Sequence, residues 1–292
     1  MTDAVVRVED LHKTYRGGFE ALRGVSFEIQ RGETFALLGP NGAGKSTTIE
    51  ILEGYRNRSG GTVDVLGSDP HHGGLEWKSR LGIVLQNTGE APVATVRELL
   101  SHFAGFYPNP RNVDDVIEAV GLAAKAKTSV RKLSGGQRRR VDVALGIIGN
   151  PELLFLDEPT TGFDPEARRH FWDVIRGLQA EGTTIILTTH YLDEAAALAE
   201  RAAIIVAGRL VALGAIGEIG GADARVPIVR WREDGRVFEE RTERPGEFVA
   251  ALVARGPVEP DRLEIVRPSL EDIYLSFLTD AETATPLQGA TA

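Results

Sequence analysis

The sequence contains no cysteine, which excludes a disulfide framework and any thiolate-ligated metal centre and fits a reducing compartment. It has no apolar run approaching the ~20 residues that cross a bilayer, so a role at a membrane requires a partner that spans. The amino terminus, MTDAVVRVED, lacks a basic stretch followed by an apolar core, so no secretory leader is expected. Positive charge is also short. The formal net charge is -9, and from Ala215 onward nine Arg and no Lys face fifteen Asp and Glu. A surface of that sign repels phosphate backbones, which argues against a nucleic-acid partner.

What is present is the composition of a folded protein, 42% hydrophobic and 26% charged, at a length of 292 residues that suggests about two domains. Short apolar runs, TFALL (34–38), LLFLD (153–157), TIILTT (184–189) and AAIIVA (202–207), alternate with segments of helical spacing, the pattern of an α/β layer architecture. Between about Asn87 and Asn150 strand patterns stop and a helical insert is expected, opening on Thr95 and Glu98 as a capping box. After Gly214 the texture changes to two β-rich runs around an Asp234-Gly235 turn, then a helix, a strand and a final helix. The expected division is therefore an α/β domain over 1–214, a small α+β unit over 215–279 and an unfolded tail over 280–292.

The stretch GPNGAGKST, Gly39, Pro40, Asn41, Gly42, Ala43, Gly44, Lys45, Ser46 and Thr47, fits GxxxxGKS between a strand and a helix, the context of a phosphate-binding P-loop. Glycines let successive N–H groups turn toward phosphate oxygens, and the following helix adds its positive end. Lys45 then reaches the β and γ phosphates of a nucleoside triphosphate and Ser46 ligates Mg²⁺, with Thr47 close by. LLFLDEP ends a strand in Asp157 and Glu158. Carboxyl ends of parallel strands gather ligands, so these acids are expected in the same crevice, Asp157 on Mg²⁺ and Glu158 polarising the attacking water. LSGGQ, with Ser134, Gly135, Gly136 and Gln137, reads either as a well-capped helix or as a second anion site at a helix start. Arg138, Arg139 and Arg140 follow; consecutive helical residues point about 100° apart, so the expectation is a solvated face rather than a phosphate-tracking stripe.

Taken together, these segments resemble the nucleotide-binding subunit of an ABC transporter over roughly residues 5–214. The resemblance implies a P-loop ATPase core with an antiparallel β subdomain and a helical insert, ATP and Mg²⁺ as cofactors, and LSGGQ as the signature motif. It implies further that Tyr15 stacks on adenine, that Gln86 touches Mg²⁺ or water, that His190 contacts the γ-phosphate and that Asp164, in TTGFDP, lies in the segment crossing to the partner. Phe163 stands where leucine is typical and Thr161 where serine is frequent. In the family ATP is sandwiched between the P-loop of one subunit and the signature of the other. One copy of each motif in this chain then implies a second copy of itself, or a related ATPase chain, and an integral-membrane permease at the cytoplasmic face of the cell membrane. The carboxyl-terminal RPSLEDIYLSFL resembles the extension on ATPases of drug-resistance-type bacterial exporters. Two other classes stay open on the sequence: a soluble ATPase of the same superfamily acting on ribosomes or nucleic acid, and a regulatory module that binds nucleotide without turning it over.

Overall fold

The computed structural model describes residues 3–85, 93–233, 235–255 and 261–284. The chain divides into two compact units, Met1–Gly214 and Ala215–Ala292. In the first, β1 (Ala4–Thr14) and β2 (Glu20–Gln30) form an antiparallel pair, followed by β3 (Thr34–Leu38), α1 (Lys45–Leu52) and β4 (Gly60–Val65). After α2 (Leu75–Ser79) and β5 (Leu81–Val84) come three helices, α3 (Val96–Ala104), α4 (Val113–Ala119) and α5 (Gly135–Ile147). Then follow β6 (Leu153–Asp157), α6 (Pro165–Ala180), β7 (Thr184–Thr188), α7 (Leu192–Leu198), β8 (Arg201–Val206) and β9 (Arg209–Ala215).

These strands make two sheets. A three-stranded antiparallel sheet has the order β2-β1-β4, and a six-stranded sheet the order β5-β6-β7-β3-β8-β9. The pairs β5/β6, β6/β7, β7/β3 and β3/β8 are parallel. Side-chain alternation explains why the central strands read as unbroken apolar runs. In β6, Leu153 and Phe155 enter the core shared with β1, β2 and α1, while Leu154 and Leu156 enter the core shared with α3, α4, α5 and α6. β7 divides the same way, Ile186 to the first and Ile185 and Leu187 to the second. Successive strand residues point to opposite faces, so a strand covered on both sides must be apolar throughout. Truncating the fully buried Phe155 to alanine would remove about 3–5 kcal/mol of stability.

The insert begins with a cap written in the sequence. Thr95 Oγ1 accepts from the Glu98 N–H and the Glu98 carboxylate accepts from the Thr95 N–H at 2.9 Å, so α3 starts there. Asn112 caps α4 without that return bond, its Oδ1 accepting from the Asp114 N–H at 2.8 Å.

In the second unit, α8 (Gly221–Ala224), β10 (Ile228–Glu233), β11 (Arg236–Arg241), α9 (Pro245–Ala254), β12 (Asp261–Val266) and α10 (Leu270–Ala284) follow in order. The sheet runs β11-β10-β12, antiparallel throughout. Trp231 faces Phe238 across the strands with ring centroids 5.6 Å apart, and Phe248 of α9 lies 5.5 Å from the same indole. Such aromatic cross-strand pairs hold a small sheet in register. Asp234 of the expected turn lies outside the described residues; Gly235 has φ 77°, the left-handed conformation a tight hairpin turn needs. Ser269 starts α10, accepting from the Asp272 N–H at 3.2 Å. The helix continues through Ala284, so the folded part of the chain runs past Asp280 and the unfolded tail expected over 280–292 does not begin there. No helix among the described residues is long and apolar enough to cross a membrane.

Candidate functional site

The loop between β3 and α1 is built so that only glycine fits at two places. A Cβ on Gly39, whose φ is 154°, would stand 2.2 Å from the Ile205 carbonyl, and one on Gly44, at φ 110°, would meet the Ala21 carbonyl at 2.7 Å. Gly44 is also the residue before α1 and supplies no side-chain cap, so the first N–H groups of that helix are left for an anion. Lys45 is 9% exposed, and its Nζ donates to the carbonyls of Gly39 (2.7 Å) and Pro40 (3.1 Å). Burial pushes its pKa down, opposed by the charges of Glu158 and Asp157. The ammonium is thus held under the loop by backbone carbonyls and faces two acids.

Those acids come from the end of β6. The Thr188 hydroxyl at the end of β7 donates to Asp157 Oδ1 at 2.5 Å, and the Glu158 N–H donates to the Thr188 carbonyl at 3.0 Å. Glu158 itself has φ +45°, the left-handed region that a non-glycine residue seldom occupies. Its Oε2 lies 3.4 Å from His190 Nδ1, two residues beyond β7. A cleft of about 740 Å³ collects these groups: Asn41, Gly42, Gly44, Lys45, Ser46 and Thr47 from the loop, Asp157, Glu158 and His190 from the strand ends, and Tyr15, Phe19 and Ala21 beside the loop. A second hollow of about 550 Å³, bordered by Arg111, Asp115, His170 and Asp173, contains neither the glycine loop nor the strand-end acids.

Tyr15 is not a core residue. It is half-buried at the cleft rim, its hydroxyl 3.1 Å from Thr47 Oγ1 and its ring beside Phe19 at 6.4 Å. The Arg56 guanidinium sits 5.1 Å from the ring centroid. Ser134 is exposed and caps α5, Gln137 Oε1 accepting from the Ser134 N–H at 3.1 Å. A Cβ on Gly135 or Gly136 would meet nothing within 4 Å, so the start of α5 is open. None of Ser134, Gly135, Gly136 and Gln137 lines the cleft. Nor does Asp164: its Oδ1 accepts from the Ala167 N–H at 2.7 Å and caps α6. Gln86 lies outside the described residues.

Mg²⁺ suits the donors present. Ser46 and Asp157 offer hard oxygens on the same cleft, and no group of three or more His, Asp or Glu among the described residues makes a metal cage. One hydroxyl and one carboxylate match an ion that takes its remaining ligands from water and phosphate.

Sequence reasoning misplaced one arginine. Arg138 is exposed and Arg140 half-buried, but Arg139 is 8% exposed and packed under the acids rather than lying on a solvated face. It also missed Glu53 at the end of α1, which is 8% exposed. Burial, and then the charges of Asp157 and Glu50, push its carboxyl up to about 8.

A parallel sheet with a lysine-bearing glycine loop after one strand and paired carboxylates at the end of another defines a P-loop nucleotide-binding domain. Comparison with known proteins narrows that class. Residues 22–161 match the family model described as ABC transporter. The chain is 33% identical to daunorubicin resistance ATP-binding protein DrrA3 of Streptomyces coeruleorubidus, over 96% of this chain and 98% of that protein. It is 36% identical to Nod factor export ATP-binding protein I of Burkholderia pseudomallei, over 94% and 97%. Among solved structures, CbiO1 from Clostridium perfringens, part of the ABC transporter complex CbiONQ, is 29% identical with a TM-score of 0.66, over 73% of this chain and 89% of that one. The chain belongs to the ATP-binding subunits of ABC transporters and is an ABC-type ATPase.

Proposed function

We propose that two copies of this chain close over two ATP molecules, hydrolyse them, and drive export of a drug-, antibiotic- or lipid-like compound through a separate membrane permease at the cytoplasmic face. The observation that carries this is the composition of the cleft. Lys45, Asp157, Glu158 and His190 line it, whereas Ser134, Gly135, Gly136 and Gln137 do not. One protomer therefore offers two halves of a site and no whole one, and a two-fold pair completes both with a single type of interface.

Within such a site Lys45 and the loop amides from Gly39 to Thr47 hold the β and γ phosphates, and Tyr15 stacks on the base. Ser134 and Gly136 of the opposite copy donate to the γ-phosphate, where charge develops. Glu158 accepts a hydrogen bond from the attacking water, and His190, 3.4 Å from it, contacts the γ-phosphate. Ser46, Asp157 and Gln86 would hold Mg²⁺, which when bound neutralises charge on the transferring phosphoryl group. Asp164 acts by fixing the start of α6, and with it the segment turned toward the other copy. Export, rather than import, is supported by the relatives named for daunorubicin resistance and Nod factor export.

The absence of cysteine makes the pairing directly testable. Asn41→Cys and Gly135→Cys, both at open positions, combined with Glu158→Gln in the presence of MgATP, should give a disulfide-linked species of twice the chain mass. Links formed only within single chains would overturn the dimer.

A further inference from the structure

Arg139 lies on the second turn of α5, the helix whose first residues are the signature, and its side chain is buried. It donates to four main-chain carbonyls: Pro159 (3.0 Å), Asp157 (2.9 Å), Glu158 (3.2 Å) and Leu85. Three of these are the consecutive peptides that carry the two acids. The fourth belongs to the residue before Gln86 in the sequence. The Asp142 carboxylate lies 4.0 Å away, and the charges of Asp142, Asp157 and Glu158 offset the burial of the guanidinium; the three bonds to the acid-bearing segment go to backbone carbonyls, so beyond that attraction they fix its conformation.

The conformation in question is an unusual one. Glu158 has φ +45°, and a non-glycine residue held there costs on the order of 1–3 kcal/mol unless its surroundings impose it. The carbonyls before, at and after Glu158 all point to one planar donor fork. We infer that Arg139 is a positioning residue: it holds Glu158 in the left-handed conformation that turns its carboxylate toward the cleft, and it ties that geometry to the helix bearing the signature. The inference rests on the reading of Glu158 as the carboxylate that orients water. It assigns Arg139 no contact with nucleotide, since Arg139 does not line the cleft.

A lysine at 139 brings one ammonium with three donors in place of a rigid planar fork, so it can keep part of the tether. A glutamine keeps polarity and loses the charge and most of the donors. Both variants, wild type and Glu158→Gln are compared as full-length chains for phosphate release at saturating MgATP, for equilibrium binding of a fluorescent ATP analogue and for thermal melting. A misaligned catalytic group lowers turnover on the order of 10²-fold without weakening ground-state binding. The expected result is that kcat falls by about that factor in Arg139→Gln and by less in Arg139→Lys, while the binding constant stays within about twofold of wild type. Should Arg139→Gln fail to fold, Arg139→Lys carries the test. Wild-type kcat in a folded variant overturns the inference, as does a loss of binding that parallels the loss of kcat. A wild type no faster than Glu158→Gln would instead overturn the role given to Glu158.

Discussion

His190 Nδ1 lies 3.4 Å from Glu158 Oε2, and the two residues stand just beyond the ends of the adjacent parallel strands β6 and β7. That juxtaposition follows from the sheet: the register pairs Asp157 with Thr188, so the residues after each strand leave it at the same height. The carboxylate is 17% exposed and the imidazole 46%, so solvent reaches both. Replacing Glu158 by Gln removes the charge and keeps the shape. Phosphate release should fall about 10² to 10⁴-fold, the range for a positioned general base, while ATP binding is retained. His190→Ala should lower turnover in the same direction. Steady-state phosphate release set beside a fluorescent nucleotide titration checks both, and a Glu158→Gln enzyme as fast as wild type would remove this carboxylate from the mechanism.

Lys45 holds its place through the carbonyls of Gly39 and Pro40, but those bonds leave one of its three donors for a phosphate. Lys45→Ala deletes a charge-assisted bond worth ~1.5–3 kcal/mol, which corresponds to a Kd for ATP roughly 10- to 150-fold weaker. The folded state should tolerate the change, because burial already disfavours the ammonium. Isothermal titration with thermal melts on the same samples separates the two effects.

Tyr15 meets the cleft with its ring and Thr47 with its hydroxyl. Tyr15→Phe keeps the stacking face and gives up only the bond to Thr47, so ATP affinity should change less than threefold. Tyr15→Ala removes the face, and loss of aromatic stacking on a base costs ~1–3 kcal/mol, or about 5- to 150-fold in Kd. Equal losses in the two variants would mean that the hydroxyl, not the ring, is what nucleotide binding requires.

Much of this site was legible because its chemistry is local. The P-loop declares itself in consecutive residues, and strand β3 before it and helix α1 after it are each encoded in their own short run. The caps Thr95, Ser134 and Ser269 were readable for the same reason, since a cap and its partner lie three residues apart. Arg139 is not legible from its immediate neighbours, which only set three arginines about 100° apart. The longer period held the signal: Arg139, Val143 and Ile147 recur every fourth residue, and all three are buried on α5. A charge in an apolar stripe predicts a buried tether, but its partners at Leu85 and at Asp157 to Pro159 are 54 and 18 to 20 positions away. Nothing in the local pattern names them. Glu53 was missed on similar grounds. It follows Ile51 and Leu52, the last apolar residues of α1, and its cost arises first from burial and then from Asp157, both of which the fold rather than the local sequence supplies.

Glu53 also makes the stability of the chain depend on pH. Its carboxyl is pushed from 4.5 to about 8, first by burial and then by the charges of Asp157 and Glu50, and its Oε1 has no hydrogen-bond partner among the described residues. Because the folded pKa is raised, the folded state holds a proton that the unfolded chain releases. The contribution is fully present below the unfolded value of 4.5 and is lost as pH rises toward about 8. Glu53→Gln does not titrate, so that slope should vanish. Near the lower limit the two proteins should melt at similar temperatures, and above the upper limit the variant should melt higher, because the wild type must then carry an ionised carboxylate beside Asp157 in a buried position. Calorimetry of the nucleotide-free chain across that window reads the difference directly. A variant whose melting temperature tracks that of wild type at every pH would show that Glu53 is already ionised in the folded protein and that Asp157 does not feel it.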